Sequence, residues 1–276
     1  MDKYSQRSQK HTSRNMDKNL VSINIITRNR STLLTKAIQS ALLQTYQPIE
    51  IIIIDNNSND DTEKIVKDLQ IKNPNIKYFL SPKEFSLTQA RNLCLSKSSG
   101  KYIAVLDDDD YWIDNDKIKK QVEFLEKNKE HAVVGTGYIT VDENDKEITA
   151  TSKLGPNETE DERIRDKFLI KNQFTHSSVL IRKSCLDEIG GYVEDFKIWE
   201  DYATFLVIGK NYKLANLKEK MLAYKKHNSN VSLYNKKLNL IILAKIIFRN
   251  RNNYPYFIKA FFLVGLRIIA VIFRQR

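Results

Sequence analysis

The amino-acid sequence predicts an α/β protein with a mostly parallel central sheet flanked by helices. Two observations predict this class. Short apolar runs rich in β-branched residues alternate with segments whose apolar residues recur at helical spacing. This strand–helix order repeats up to a fourth strand, and parallel strands require such helical crossovers. With 276 residues, the chain is long enough for one large domain of this kind.

The first 106 residues contain the regular part of the pattern. Strands are predicted at Val21–Thr27, 49–54, Ile76–Leu80 and 101–106. Three helices are predicted between these strands. The first spans residues 31–44, the second begins at a capping box formed by residues 58–61, and the third spans Leu87–Lys97. The second strand is almost entirely isoleucine, which is typical of a parallel strand covered on both faces.

The second half is less regular. It predicts a helix at 116–128, a hairpin formed by 132–141 and 147–151, a charged helical segment at 157–171 and a strand at 177–182. Three regions follow from these patterns: a polar, disordered tail at 1–19, one α/β domain at 20–230, and a C-terminal helical segment at 231–276.

Positive charge is concentrated near the C-terminus. Residues 218–276 contain 13 Lys and Arg against one acidic residue, which gives this segment a net charge of +12. The whole chain carries +11, so residues 1–217 together carry about −1. A local basic segment indicates an anionic partner, and both nucleic acid and an anionic membrane leaflet fit.

The same segment is strongly apolar, which favours the membrane. Within residues 256–273, Lys259 and Arg267 lie about 80° apart on a helical wheel, with Arg274 between them. Two internal charges disfavour a spanning helix, so an interfacial helix is expected, and removal of 238–276 should release the protein from membranes. The alternative is that these helices pack on the domain or on a second subunit.

Cellular location is predicted from two further features. Cys94 and Cys185 are too few for a disulfide framework, and no apolar signal segment opens the sequence. A cytoplasmic protein is expected.

Polar side chains follow three of the predicted strands. Thr27, Arg28 and Asn29 come at the end of the first, Asp55 at the end of the second, and four aspartates, 107–110, after the fourth. Ligands of open parallel sheets bind at this edge. The sequence has neither GxGxxG nor GxxxxGK[ST], which argues against dinucleotide dehydrogenases and P-loop enzymes.

Four adjacent carboxylates repel one another unless a cation offsets their charge. Mg²⁺ or Mn²⁺ is the expected counterion, because such an ion keeps few protein ligands and leaves positions for phosphate oxygens. Trp112 stands where a calcium-binding loop needs glycine, which excludes an EF-hand. An acidic surface turn is the alternative.

Six segments in order carry a family resemblance. They are VSINIITRNR, QTYQPIEIIIIDNNSNDDT, LTQARN, GKYIAVLDDDDYW, IGGY and WEDY. Together they resemble family 2 glycosyltransferases of the GT-A fold, over roughly residues 20–230. The resemblance implies a Rossmann-like GT-A sheet with the basic, apolar helical segment as a C-terminal extension.

The resemblance also implies a site for a nucleotide-sugar donor. Thr27 and Asp55 would contact the base, with Arg28 and Asn29 close by, and Arg91 would help to hold the nucleotide. Many members carry Asp-Asp-Gly-Ser where this chain has Asp-Asn-Asn-Ser after the second strand. The resemblance therefore does not fix the nucleotide of the donor. UDP is the first choice, dTDP the second, and GDP is the remaining alternative.

Roles in chemistry are implied for the two acidic segments. Asp107 and Asp109 match the outer positions of the family's DxD motif. Asp107 would contact the ribose and the metal site, Asp109 would bind the metal, and Asp108 stands at the variable middle position. Asp201 would be the general base, beside Glu200. These are the residues implied to carry the reaction.

Three further residues are candidates with open alternatives. His227 either completes the metal site or faces solvent. His176 either faces the acceptor or caps the sheet, and Trp199 either stacks on an acceptor sugar or packs in the core.

The function that the resemblance implies is inverting, metal-dependent transfer of a sugar to a saccharide acceptor. The acceptor would be lipid-linked, in surface polysaccharide synthesis, with the enzyme peripheral on the inner face of the cytoplasmic membrane. Two alternatives remain: a nucleic-acid-binding protein that uses the basic segment, and a catalytically inactive scaffold. The absence of a nucleic-acid-binding motif in the apolar segment argues against the first.

Overall fold

The computed structural model describes residues 19–148, 157–196, 198–227 and 236–274. Within these ranges eight strands form one sheet: β1 (Val21–Thr27), β2 (Ile49–Asp55), β3 (Ile76–Leu80), β4 (Tyr102–Val105), β5 (Tyr111–Trp112), β6 (His131–Val141), β7 (Leu180–Arg182) and β8 (Lys213–Lys225). Their order across the sheet is β3-β2-β1-β4-β7-β6-β8-β5.

The described helices cover both faces of this sheet or extend from it. They are α1 (Ser31–Leu42), α2 (Thr62–Lys72), α3 (Leu87–Lys97), α4 (Lys117–Lys127), α5 (Asp161–Phe168), α6 (Lys183–Glu188), α7 (Glu200–Ile208), α8 (Lys236–Arg249) and α9 (Phe257–Arg274). A short 3-10 helix, His176–Ser178, precedes β7. The α/β architecture confirms the predicted fold class.

The first half of the sheet is the parallel part that the sequence predicts. β1 pairs in parallel with both β2 and β4, and β2 pairs in parallel with β3. The register aligns Thr27 with Asp55 at the carboxyl ends of β1 and β2. Every residue of β2 is buried, because helices cover both faces.

The second half of the sheet is mixed. β7 runs antiparallel to β4 and β6, β6 runs parallel to β8, and β8 runs antiparallel to β5. The sequence did not predict β8, because its middle residues, 218–220, are charged and exposed and coincide with irregular register. The predicted turn after β6 is present, with Ile148 N–H donating to the Thr140 carbonyl. Residues 149–151 of the predicted second hairpin strand lie outside the described residues.

The capping box predicted at residues 58–61 is wrong. Asp61 is the N-cap of α2 but its side chain makes no cap bond, and Ser58 Oγ instead accepts the Asn29 N–H at 2.9 Å. The Ser58 hydroxyl therefore bonds to the loop that follows β1 and not to the start of α2, where the capping-box pattern placed it. A reciprocal capping box is found at the start of α3, between Ser86 and Gln89.

The C-terminal helices share a core with the sheet. Ile246 and Ile247 of α8 and Ala260 and Val264 of α9 are buried in the same hydrophobic cluster as Phe205 of α7. Packing on the domain, the alternative to membrane contact in the sequence, is therefore observed for one face of this segment. Cys94 and Cys185 are buried and form no disulfide.

Candidate active site

A cleft of about 1090 Å³ opens at the carboxyl ends of the parallel strands. Its walls come from the end of β1, the acidic run after β4, α3, the start of α7 and the C-terminal helices. Residues from these elements that line it include Thr27, Arg28, Arg30, Arg91, Asp107, Asp108, Asp109, Trp199, Asp201 and Arg267. The fold thus brings together polar residues that are far apart in sequence, as expected at this edge of a parallel sheet.

The last aspartate of the acidic run has a structural role. Asp110 is buried, and its carboxylate accepts hydrogen bonds from the Ser177 hydroxyl and from the Lys225 backbone N–H at 2.9 Å. Burial, together with the charges of Asp109 and Asp107, raises the pKa of Asp110. Asp110 therefore ties the acidic run to the 3-10 helix and to the end of β8.

The middle aspartates are held by one arginine. Arg30 donates from the same terminal nitrogen to Asp108 Oδ1 and to Asp109 Oδ2, both at 2.9 Å. Burial and the neighbouring Asp109 raise the pKa of Asp108 to about 7, against the opposing charge of Arg30. The sequence motif TRNR includes Arg30, but its contact with the acidic run depends on the crossing of two loops.

His227 is part of the acidic site. Its Nε2 lies 2.9 Å from Asp109 Oδ2, and the imidazole is largely buried, with 9% of the side chain exposed. The solvent-facing alternative for this histidine is therefore wrong. The reason is that β8 ends beside the acidic run and delivers His227 two residues beyond Lys225.

Two donor atoms at this point fit a divalent cation. Neighbouring donors around an octahedral ion with bonds of about 2.1 Å would be about 3.0 Å apart. Asp109 Oδ2 and His227 Nε2 are 2.9 Å apart, which is also a hydrogen-bond distance, and Arg30 donates to the same oxygen. In the described part of the chain, no group of three or more His, Cys, Asp or Glu side chains converges on one metal position. Asp109 and His227 would therefore supply two ligands of such an ion, and substrate and water would have to supply the others.

Asp107 lies in a different environment from Asp109. Both terminal nitrogens of Arg91 lie 3.3 Å from Asp107 Oδ1, and His176 Nδ1 lies 3.6 Å from the same oxygen. Burial opposes ionisation of this carboxyl, but the Arg91 and His176 contacts more than offset it and lower the pKa of Asp107. His176 therefore faces the acidic run rather than simply capping the sheet.

Arg91 links the acidic run to α7. Its Nε donates to Glu200 Oε1 at 2.9 Å, and both side chains are almost fully buried. Burial and the nearby Asp201 raise the pKa of Glu200, while Arg91 opposes this. A guanidinium presents donors in several directions, which allows one residue to hold two carboxylates from separate elements.

Asp201 is placed differently from its neighbour Glu200. It lines the cleft, is partly exposed, and has no hydrogen-bond or ion-pair partner among the described residues. Trp199, the N-cap of α7, has a left-handed backbone with φ 65° and also lines the cleft. Backbone strain at a non-glycine residue is typical of functional sites, where surrounding contacts maintain it.

The residues at the ends of β1 and β2 divide into two groups. Thr27 and Arg28 line the cleft, and Arg28 pairs with Glu84. Asn29 and Asp55 do not line it: Asp55 is fully buried and accepts hydrogen bonds from the Ser58 N–H at 2.8 Å and the Tyr78 hydroxyl at 2.6 Å. In this arrangement Asp55 orders the loop at the strand end.

One supporting contact was not predicted as part of the site. Asn92 Oδ1 accepts the Tyr192 N–H at 2.7 Å, and the Tyr192 hydroxyl lies 3.1 Å from His176 Nε2. Gly191 precedes this tyrosine with φ 98°, and a Cβ there would lie 2.6 Å from Asn92 Oδ1. The segments LTQARN and IGGY were noted in the sequence, and their direct contact explains why Gly191 has no side chain.

The fold and this clustered site together define a GT-A glycosyltransferase. Comparison with known proteins gives the family: the model of "Glycosyl transferase family 2" matches residues 22–190. The chain belongs to this family. The resemblance noted in the sequence is thereby confirmed.

Named relatives and solved structures agree with this assignment. The chain is 33% identical over 216 residues, 77% of its length and 80% of the relative's, to the Escherichia coli UDP-Glc:alpha-D-GlcNAc-diphosphoundecaprenol beta-1,3-glucosyltransferase WfaP. It shares its fold with S. aureus TarS 1-349 in complex with UDP (TM-score 0.63, 18% identity, covering 86% of this chain and 66% of that one). It also resembles the mannosyltransferase PcManGT from Pyrobaculum calidifontis in complex with GDP-Man and Mn2+ (TM-score 0.67, 14% identity, 90% and 69% covered).

The C-terminal helices close one side of the cleft. Asn239 and Leu243 of α8 and Arg267 of α9 contribute to its wall. On its outer side α9 exposes large apolar residues: Ile258, Phe261, Phe262, Leu266, Ile269, Ile272 and Phe273. Among the described residues, none of the helices has both the length and the hydropathy required to cross a bilayer.

Proposed function

We propose that this protein transfers a sugar from a nucleotide-sugar donor to a saccharide hydroxyl with inversion of the anomeric centre. The observation that carries the proposal is the position of Asp201. Its carboxylate makes no hydrogen bond or ion pair with the described residues and faces the same cleft as Asp107 and Asp109. A carboxylate that is not engaged by the protein is available to take a proton from an acceptor hydroxyl.

The donor would lie along the ends of β1 and β4. Thr27 and Arg28 line this part of the cleft, and among the described residues the buried Thr27 hydroxyl makes no well-formed hydrogen bond, although Asp108 is its neighbour. An unsatisfied buried hydroxyl is costly and suits a ligand group that pairs with it. Asp55 and Asn29 would act on the nucleotide through the loop that they order, and Asp107 and Asp108 would face the ribose and diphosphate.

A divalent cation, Mn²⁺ or Mg²⁺, would be held by Asp109 and His227, the two donors that are 2.9 Å apart. When bound, such an ion stabilises the negative charge that develops on the departing diphosphate. Asp107, which was assigned to the same ion in the sequence, is instead engaged by Arg91 and His176. We assign it to the ribose side.

The chain's own groups would perform the transfer as follows. Asp201 accepts the proton of the acceptor hydroxyl while that oxygen bonds to the anomeric carbon. The bond from this carbon to the diphosphate breaks, and its electron pair leaves with the nucleoside diphosphate. Glu200 is buried against Arg91 and acts as a positioning residue. The other carboxylates that line the described cleft are assigned to the donor, the metal or positioning, so Asp201 acts as the base in a single displacement, which would invert the centre.

The donor nucleotide is proposed to be a uridine diphosphate. The relative WfaP is named for UDP-Glc, and the TarS structure contains UDP. dTDP sugars are the second choice. GDP sugars are the third choice, since the PcManGT structure is of a complex with GDP-Man.

The acceptor is proposed to be lipid-linked, at the inner face of the cytoplasmic membrane, as in surface polysaccharide synthesis. WfaP is named for a diphosphoundecaprenol acceptor. The exposed apolar side of α9, within a segment of +12, suits an anionic bilayer surface. This apolar composition favours a membrane over nucleic acid as the partner of the basic segment.

Calorimetry with nucleotide sugars tests the donor assignment. We expect UDP-sugars to bind only with Mn²⁺ or Mg²⁺ present, and purified protein to transfer the sugar when membranes supply lipid-linked acceptors. Failure of every nucleotide sugar to bind with either metal would contradict the proposal. Binding without transfer to any acceptor would favour the inactive scaffold.

A further inference from the structure

The cations of the cleft fall into two groups. Arg28, Arg30 and Arg91 lie on the donor side and each pairs with one or two carboxylates. Lys171 and Arg267 also line the cleft. Arg267 makes no hydrogen bond or ion pair with any residue that the structure describes. A guanidinium in a substrate cleft without a protein carboxylate is available for an anionic group of a ligand.

The helix α9, which carries Arg267, has two different surfaces. One side of the helix is packed, with Ala260 and Val264 in the core. Another side is apolar and exposed, and it includes Leu266 and Ile269, at 47% and 51% exposure. Arg267 lines the cleft that contains Asp201, so the same helix presents a cation to the cleft and an apolar surface on its other side.

The cleft already has protein groups for the donor's phosphates. Asp109 and His227 provide a metal position there, and the donor-side arginines are engaged. A second anion next to Arg267 would therefore belong to the other substrate. The position suits a group that joins an acceptor sugar, which must reach Asp201, to a lipid chain at the apolar side of α9.

We propose that Arg267, together with Lys171, binds the diphosphate that links the acceptor saccharide to its lipid. The inference rests on the proposed function and names the acceptor class by its chemistry: a lipid diphosphate sugar rather than a neutral glycoside. The planar guanidinium forms paired hydrogen bonds to phosphate oxygens, which a neutral acceptor lacks. Burial and the nearby Lys167 lower the pKa of Lys171, so a neighbouring diphosphate would also favour its charged form.

Kinetics with two matched acceptors test this assignment. The same sugar is offered as a short-chain prenyl diphosphate ester and as an alkyl glycoside, both in neutral detergent without a bilayer. Arg267→Gln should raise KM for the diphosphate ester about 10- to 100-fold, the usual loss for a charged hydrogen-bonded contact, with kcat and the KM for the glycoside unchanged. Arg251→Gln, an exposed arginine in the same basic segment but outside this cleft, is the control and should change neither.

A direct binding measurement makes the test independent of turnover. With saturating UDP and Mn²⁺ occupying the donor side, the wild-type protein should bind geranyl diphosphate, and Arg267→Gln should bind it at least 10-fold more weakly. Equal binding by both proteins, or none by the wild type, would overturn the proposal. So would an equal rise in KM for both acceptors, which would indicate that Arg267 only shapes the cleft.

The remaining outcome separates the acceptor from the bilayer. If Arg267→Gln leaves both KM values unchanged but weakens binding to phosphatidylglycerol vesicles, Arg267 contacts lipid headgroups and the proposal is wrong. Binding of UDP-sugar and metal to Arg267→Gln is measured in parallel. A wild-type protein that binds no UDP-sugar would contradict the proposed function itself. Failure of the proposed function is thereby distinguished from failure of the Arg267 proposal.

Discussion

Arg91 Nε donates a hydrogen bond of 2.9 Å to Glu200 Oε1, and this contact joins α3 to the first residue of α7. The terminal nitrogens of the same guanidinium lie 3.3 Å from Asp107 Oδ1. One buried arginine therefore fixes the acidic run relative to the helix that carries Asp201. The two adjacent acids of α7 therefore have different surroundings. Glu200 is paired with Arg91, whereas Asp201 faces the cleft.

Asp201→Asn should reduce kcat by about 10²- to 10⁴-fold while donor affinity stays the same, because only proton acceptance is lost. Initial rates and calorimetric donor binding measure the two effects. Glu200→Gln is the matched comparison: it should lower thermal stability, since it weakens a buried ion pair with Arg91. An Asp201→Asn enzyme with wild-type kcat would rule out the assignment of the base.

Asp109→Asn should weaken metal-dependent donor binding. Removal of a mere supporting contact of a metal ligand costs about 10- to 100-fold in affinity, so loss of the ligand itself should cost at least as much. A Mn²⁺ titration of UDP-sugar binding measures this, and His227→Gln should act in the same direction. Asp187→Asn, at an exposed ion pair outside the cleft, is the control. Unchanged Mn²⁺ dependence in both variants would mean that the metal is bound elsewhere.

Gly191→Ala should destabilise the protein by roughly 2–4 kcal/mol, from backbone strain and a damaged hydrogen bond. The φ of 98° disfavours a side chain, and the new Cβ would meet Asn92 Oδ1 at 2.6 Å. Gly265→Ala is the control, because among the described residues no atom outside the local helix backbone lies within 4 Å of its Cβ position in α9, and it should stabilise by about 0.5–1 kcal/mol. Chemical denaturation gives both values, and equal stabilities would show that the contact is not required.

The double substitution Phe262→Glu and Ile269→Glu should weaken binding to anionic vesicles about 10²- to 10⁴-fold, since each apolar side chain contributes about 1.5–3 kcal/mol on full burial. Both residues are exposed, at 63% and 51%. Ile71→Glu, at an isoleucine of α2 with 82% exposure, is the control for surface charge. Vesicle flotation measures binding, and if the double variant binds as tightly as wild type, this face does not contact the membrane.

These point substitutions replace the removal of residues 238–276 as the test of membrane contact. Ile246 and Val264 belong to the domain core, so deletion of both helices would expose that core and confound the result. Surface substitutions leave the packed side of α9 intact.

Glu50→Gln should destabilise the fold at neutral pH by roughly 1–3 kcal/mol. Glu50 is a buried acid in β2 that accepts hydrogen bonds from the Ser22 hydroxyl, the Ser99 N–H and the Lys77 ammonium. Burial opposes its ionisation, but these bonds prevail and lower the pKa of Glu50 below its ordinary 4.5. Its contribution is therefore complete above about pH 4.5 and is lost as the pH falls through the lowered value.

Denaturation of Glu50→Gln and wild type between pH 3 and 7 measures this effect. The stability difference should shrink on acidification. Glu63→Gln removes an exposed pair with Lys67 and should cost less than about 0.5 kcal/mol. A difference for Glu50→Gln that is constant with pH would show that its charge does not contribute.

The sequence alone determined the parallel half of the fold and the existence of an acidic site. Isoleucine-rich strands and helical spacing are local patterns that can be read from the sequence. Because the carboxyl ends of parallel strands lie at the same edge of a sheet, the sequence also predicted that Thr27 and Asp107 lie in one site. The family segments added Asp201, and the structure brought it to the same cleft.

Only the tertiary structure decided which of these polar residues face the cleft. Asp55 is buried as a loop tie and does not line the cleft, whereas Asp110 lines it but is held by Ser177 and the Lys225 backbone. Asp109 contacts His227, which lies 118 residues further along the chain, just beyond β8. Pairings over such distances depend on loop crossings and on the irregular strand β8, which no local pattern encodes. For the same reason, the sequence could describe Arg267 only as one charge of an amphipathic helix, and its place in the cleft wall came from the packing of α9 on the domain.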